Sequence, residues 1–142
     1  MEKIIVSACL LGDECRYDGL SKPNPKVISL SSKYEFVKVC PECLGGLGTP
    51  RIPAEGKGDK VINSHGKDVT EFFVEGAKRA LEIARKNGCR KAILKARSPS
   101  CGKGLVYDGT FSGKLTDGNG VFADMAIKNN ILVFTEDEIE SL

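Results

Sequence analysis

The sequence predicts an α/β domain with a mostly parallel, four-stranded central sheet, helices on both faces and a small β-hairpin excursion. Three observations predict it. Four short apolar runs, at residues 3–8, 35–39, 91–96 and 131–134, are rich in β-formers and too short for helices. Segments with helical spacing or helix caps separate them, and strands alternating with helices imply parallel pairing through crossovers. The first three runs are each followed by a cysteine in a loop of glycine, proline or serine. The carboxyl ends of strands are where open α/β sheets place their chemistry. The 142 residues suit a single domain, 1–142, with its own core.

Residues 3–8 (KIIVSA) form the first strand, apolar enough to be buried on both faces. An ordered loop with two glycines and two cysteines follows (CLLGDECRYDG). Asn24-Pro25 opens a short helix through residue 32, because proline suits a first helical turn. Residues 35–39 are the second strand, ending at Cys40-Pro41-Glu42-Cys43 and a glycine-rich stretch. Pro50 and Pro53 make the next segment irregular. Turn residues on either side of Val61-Ile62 predict the hairpin.

Residues 68–70 open the longest helix. Phe72, Phe73, Gly76, Ala77, Ala80, Leu81 and Ala84 recur at helical spacing, and Asn87-Gly88 caps its end. Residues 91–96 form the third strand and lead to Ser98-Pro99-Ser100-Cys101-Gly102. Tyr107-Asp108-Gly109-Thr110-Phe111-Ser112-Gly113 is a glycine-bounded segment, and residues 117–120 are a turn. Residues 121–128 are a helix, 131–134 the fourth strand, and 136–142 a terminal helical turn or two.

Net charge is +2 and no block of like charges stands out, which argues against a dedicated nucleic-acid or membrane-surface binder. No basic region precedes a long apolar run at the N-terminus, and no run approaches the length of a bilayer span. A cytoplasmic location is therefore expected. Structural disulfides are rare there, so the six cysteines point to metal or redox chemistry.

Cys9, Cys40 and Cys101 share the strand–cysteine–loop context, and parallel topology would bring those strand ends to one side of the sheet. Three thiolates could then meet at one point, as ligands of an iron–sulfur cluster or of zinc. Cys89 reads as core packing, while Cys15 and Cys43 are open between burial and a role at the site. Cys40-x-x-Cys43 is formally a dithiol motif, but the glycines after it make a poor helix start for a thioredoxin-like pair. His65, the single histidine, lies in a polar turn-rich stretch and reads as exposed, which leaves a histidine-dependent triad without support. Glu42 could reach the same cavity as an acid or base. Arg51 and Arg16 could hold an anionic or carbonyl oxygen, and the hydroxyls of Ser98 and Ser100 could cap the adjoining turn. Asp108 reads as a turn residue.

Taken together, SACLLG at 7–12, CRYDG at 15–19, CPE with GGL and TPR at 40–51, SPSCG at 98–102 and YDGTFSG at 107–113 resemble a bacterial and archaeal family that includes the thiouracil desulfidases. The resemblance covers essentially the whole chain. It implies removal of sulfur from a thiolated pyrimidine, giving the oxo base and sulfide, with a [4Fe-4S] cluster held by three cysteines and one iron left open. By motif match the ligands would be Cys9, Cys40 and Cys101, and Glu42 and Ser98 fall on the catalytic positions. Ser100 and Arg51 are the candidate substrate-binding residues. The expected partner is a small thiopyrimidine or thionucleotide. Two other expectations compete: a non-catalytic module that binds zinc or a cluster through the three cysteines and carries sulfur, and a dithiol redox protein using Cys40 and Cys43.

Overall fold

The computed structural model describes all 142 residues. Its centre is a four-stranded, all-parallel sheet built from β1 (Glu2–Ser7), β2 (Tyr34–Val39), β5 (Lys91–Leu94) and β8 (Leu132–Thr135), in the order β2-β1-β5-β8. Ile4, Ile5 and Val6 of β1 are wholly inaccessible, as the near-continuous apolar run of a strand covered on both faces requires. Ile5 faces one layer and Ile4 and Val6 the other. The first layer is α3 (Thr70–Lys86) and α4 (Val121–Lys128), which pack Ala77, Ala80, Phe122 and Ala126 onto Ile5, Leu94 and Val133. The second contains α1 (Pro25–Ser29) and the terminal 3-10 turn Ile139–Ser141, which supply Val27 and Ile139 against Ile4, Val6 and Ile93. The α/β class, the four strands, the first hairpin and the helices on both faces all match the expectation.

Two small antiparallel pairs lie outside the sheet: β3 (Ala54–Lys57) with β4 (Lys60–Asn63), and β6 (Leu105–Tyr107) with β7 (Leu115–Asp117). The first is the expected excursion. The second is an addition to the expected fold. Its strands have three residues each and none of those residues is buried, so there is no apolar alternation to announce them. A short helix, α2 (Pro41–Leu44), also stands where the glycines argued against one. Tertiary packing holds it. The backbone of α2 approaches α3 so closely that a Cβ on Gly76 would lie 1.8 Å from the Pro41 carbonyl oxygen, and one on Gly45 would lie 1.9 Å from that of Phe72. Only glycine permits this crossing.

The chain steps from β1 to β2 on one side, then returns past β1 to β5 on the other. The crevice between β1 and β5, at their carboxyl ends, is thus the topological switch point of the sheet, where such folds bind ligands.

Candidate functional site

A cavity of about 540 Å³ opens at that switch point. Cys9, Cys40 and Cys101 all line it, one following each of three neighbouring strands, β1, β2 and β5. Cys9 lies in the 3-10 turn Ala8–Leu11, Cys40 caps α2, and Cys101 lies in the turn after β5. Cys9 and Cys101 are buried and Cys40 is half-buried. That turn is clamped by α4, whose first N–H groups have no partners inside the helix. Val121 N–H donates to the Pro99 carbonyl at 3.0 Å, and Phe122 N–H to that of Ser100 at 2.8 Å. The fit needs Gly120, where a Cβ would sit 2.5 Å from the Ser100 carbonyl carbon.

The remaining cysteines separate. Cys89 is buried in the core among α3 and α4 side chains. Cys15 also lines the cavity, and its carbonyl oxygen lies 3.7 Å from Cys40 Sγ. Cys43 is exposed and does not line it. His65 is exposed on a turn, as expected.

Glu42 and Arg51 form an ion pair, with Arg51 Nε 3.0 Å from Glu42 Oε1 and both side chains largely buried. The same guanidinium donates to the carbonyls of Cys15 at 2.9 Å and Gly48 at 3.1 Å, so it ties α2 to the loops that hold these two residues. Ser100, only 2% exposed, donates its hydroxyl to Glu42 Oε2 at 2.8 Å. Ser98 Oγ lies 3.0 Å from Ser100 Oγ and accepts the backbone N–H groups of Ser100 and Cys101. Arg51 and Ser100, expected at the substrate, thus line the cavity, and the side chain of each is bonded to Glu42. Arg16 lies at the same cavity, 3.9 Å from Asp18, and Asp108 caps its own turn by accepting from Thr110.

Four thiols in and beside the cavity are held above the ordinary thiol range, which does not suit free nucleophiles. Burial pushes the Cys101 thiol up to about 12. Hydrogen bonding with Cys15, together with burial, drives Cys40 far above the ordinary thiol range. Cys43 is raised to about 11 by burial and by its neighbour Cys40. In Cys15 the bond to Cys40 pulls downward, but the bond to Cys9 and burial outweigh it, leaving about 11. A dithiol redox pair needs lowered values, so Cys40 and Cys43 lack that signature. Metal coordination, in contrast, supplies the positive charge that buried thiolates lack.

No three His, Cys, Asp or Glu side chains stand close enough to share one metal ion. A cluster spreads its thiolate ligands over separate irons and spaces them more widely. Soft donors on three strand ends around a roomy cavity fit such a group better than a single zinc ion.

Other features of the cavity were not legible in the sequence. Glu55, Arg97, Tyr17, Tyr107 and Phe111 line it. Glu55 accepts the N–H groups of Gly109 at 3.0 Å and Phe111 at 3.2 Å, and so fastens the 107–113 segment to the first hairpin. Lys95 and Glu136, at the ends of β5 and β8, form a largely buried pair at 2.8 Å. For Lys95 and Glu136 the one available signal was their placement directly after β5 and β8.

Comparison with known proteins spans nearly the whole chain. The family model described as 2-thiouracil desulfurase matches residues 4–138. The uncharacterized protein YbbK of Bacillus subtilis (strain 168) is 42% identical over 149 residues, covering 98% of this chain and 99% of that protein. The solved structure of the [4Fe-4S]-dependent thiouracil desulfidase TudS superposes with a TM-score of 0.94 at 44% identity, covering 100% of this chain and 95% of that one.

Proposed function

The chain belongs to the 2-thiouracil desulfurase family, and on that footing we propose that it is a [4Fe-4S]-dependent desulfidase that converts a thiolated pyrimidine and water to the oxo base and hydrogen sulfide. The observation that carries this reading is the meeting of three thiols with Glu42 and Ser98 around one cavity at the sheet's switch point. Carbon and sulfur keep their oxidation levels in this exchange, so no redox partner is required.

Cys9, Cys40 and Cys101 are the residues that would hold the cluster. When bound, it supplies a Lewis-acidic iron without a protein ligand, matched to a soft thiocarbonyl sulfur. The protein's own groups do the rest. Glu42 takes the proton of the attacking water, and Arg51 fixes its carboxylate for that task. Ser98 acts together with Glu42 through the hydroxyl of Ser100, which lies 3.0 Å from its own and 2.8 Å from the carboxylate. Tyr17, Tyr107 and Phe111 provide walls for a flat ring.

The substrate class follows from charge. Five cationic side chains (Arg16, Lys22, Arg51, Lys95 and Arg97) and two carboxylates (Glu42 and Glu55) line the cavity. Lys22 and Arg97 form no salt bridge, whereas Arg51 and Lys95 do. An excess of cations favours a thiouridine nucleotide over the neutral thiouracil base. No helix is long and apolar enough to cross a membrane. All six cysteines are free, which suits a reducing cytoplasm.

The test is to purify the protein without oxygen, reconstitute it with iron and sulfide, and measure sulfide released from thiouracil and thiouridine monophosphate. Broad visible charge-transfer absorption and sulfide equal to oxo product are expected. A colourless, iron-free protein overturns the proposal. One zinc per chain with no sulfide release restores the carrier reading.

A further inference from the structure

The hydrogen bonds around the Ser98-Pro99-Ser100-Cys101 turn have fixed directions. Ser98 Oγ accepts two backbone N–H groups, from Ser100 at 3.1 Å and Cys101 at 3.0 Å. A hydroxyl oxygen has two acceptor positions and one hydrogen to donate. Both acceptor positions of Ser98 are therefore taken, and its hydrogen is left to donate. Ser100 Oγ, 3.0 Å away, is the polar side chain it meets. Ser100 in turn lies 2.8 Å from Glu42 Oε2, and a carboxylate oxygen accepts, so Ser100 donates there. The result is a one-way chain from Ser98 to Ser100 to Glu42. Arg51 closes it on the far side by holding Oε1.

We infer that Ser100 is a positioning residue that couples Ser98 to Glu42 as one hydrogen-bonded unit and does not itself bind substrate; this rests on the desulfidase reading. Burial supports it, because at 2% exposure Ser100 offers a ligand little surface even though it borders the cavity. Direction supports it too, since the Ser100 hydrogen is committed to Glu42. The sequence alone pairs Ser98 and Ser100 as flanking hydroxyls of one proline. The structure gives them different places: Ser98 at the head of the chain, and Ser100 as the link to a carboxylate 58 positions away.

The experiment uses reconstituted holoenzyme with Ser100→Ala, Ser98→Ala and the double variant. Iron per chain, visible absorption, kcat and KM are measured on thiouridine monophosphate. For S100A, kcat should fall at least about tenfold, as expected when a reacting group is slightly misplaced. Its KM should stay within about twofold and its iron and absorption should match the parent. The double variant should be no slower than S98A, because groups acting as a unit are not additive. The same cycle with Glu42→Gln reads the coupling from the other end. The inference is overturned if S100A keeps kcat within twofold, if only KM rises, if the S98A and S100A losses multiply, or if S100A loses iron. In that last case Ser100 serves Cys101, whose Sγ lies 3.6 Å away. Parent enzyme that holds the cluster and releases no sulfide overturns the desulfidase reading and this inference with it.

Discussion

The substitution Gly76→Ala tests how the fold places the site. A methyl group at Gly76 would lie 1.8 Å from the Pro41 carbonyl oxygen, so α2 must retreat by about 1.6 Å to reach the 3.4 Å of ordinary contact. The obstacle is backbone, and no rotamer change relieves it. Alanine is the better helix former by about 1 kcal/mol. Overpacking a tight contact costs about 1–3 kcal/mol, and a rigid carbonyl puts this site at the upper end. The expected net loss is about 2 kcal/mol, or about 6 °C in Tm for a domain of this size. Cys40 and Glu42 flank Pro41 and must move with it. Misplacement by about 1 Å lowers turnover by about 100-fold where geometry is tight. Thermal and urea unfolding of the apoprotein, with iron content and kcat after reconstitution, measure both effects. Lys78→Ala, exposed on the same helix, should change stability by less than about 0.5 kcal/mol. A G76A protein that melts at or above the parent temperature and holds full iron and activity would refute the reasoning.

Ser in place of Cys9, Cys40 or Cys101 should abolish visible absorption and bound iron on reconstitution, whereas Cys43→Ser should retain both along with activity, which checks the ligand set and the dithiol alternative together. Arg51→Ala should lower kcat at least about tenfold by freeing Glu42 Oε1, and Arg51→Lys should recover only part of it, since an ammonium lacks the planar fork that also reaches the Cys15 and Gly48 carbonyls. Glu138 responds to pH. The Thr135 N–H and then Lys103 hold its carboxyl below the ordinary range, so its contribution is present at neutral pH and is lost as pH falls below the unfolded value of about 4.3. Melting curves between about pH 7 and pH 3 should therefore fall less steeply for Glu138→Gln than for the parent.

The sheet was legible because burial on both faces leaves a plain mark: Ile4-Ile5-Val6 and Ala92-Ile93-Leu94 are uninterrupted apolar runs, and both are wholly inaccessible. Once those runs are strands and their connections helical, parallel pairing follows, and with it the meeting of cysteines 31 and 61 positions apart, at 9, 40 and 101. What stayed illegible depends on contacts that no local pattern encodes. The α2 turn exists because Gly76, 35 residues after Pro41, leaves room for it. The β6–β7 pair has an exposed surface and therefore no periodic signature. Glu42 is the clearest case. By composition it is a loop carboxylate between two cysteines, equally at home in solvent. Its place in the site comes from Arg51 across a proline-rich loop and from Ser100 in the turn after β5. Spacing can bring thiols together because strand ends carry them to a common edge, whereas orienting a carboxylate takes partners on both of its oxygens. The convergence of the cysteines is thus readable from topology, while the orientation of the carboxylate beside them is readable only from the folded contacts that hold it.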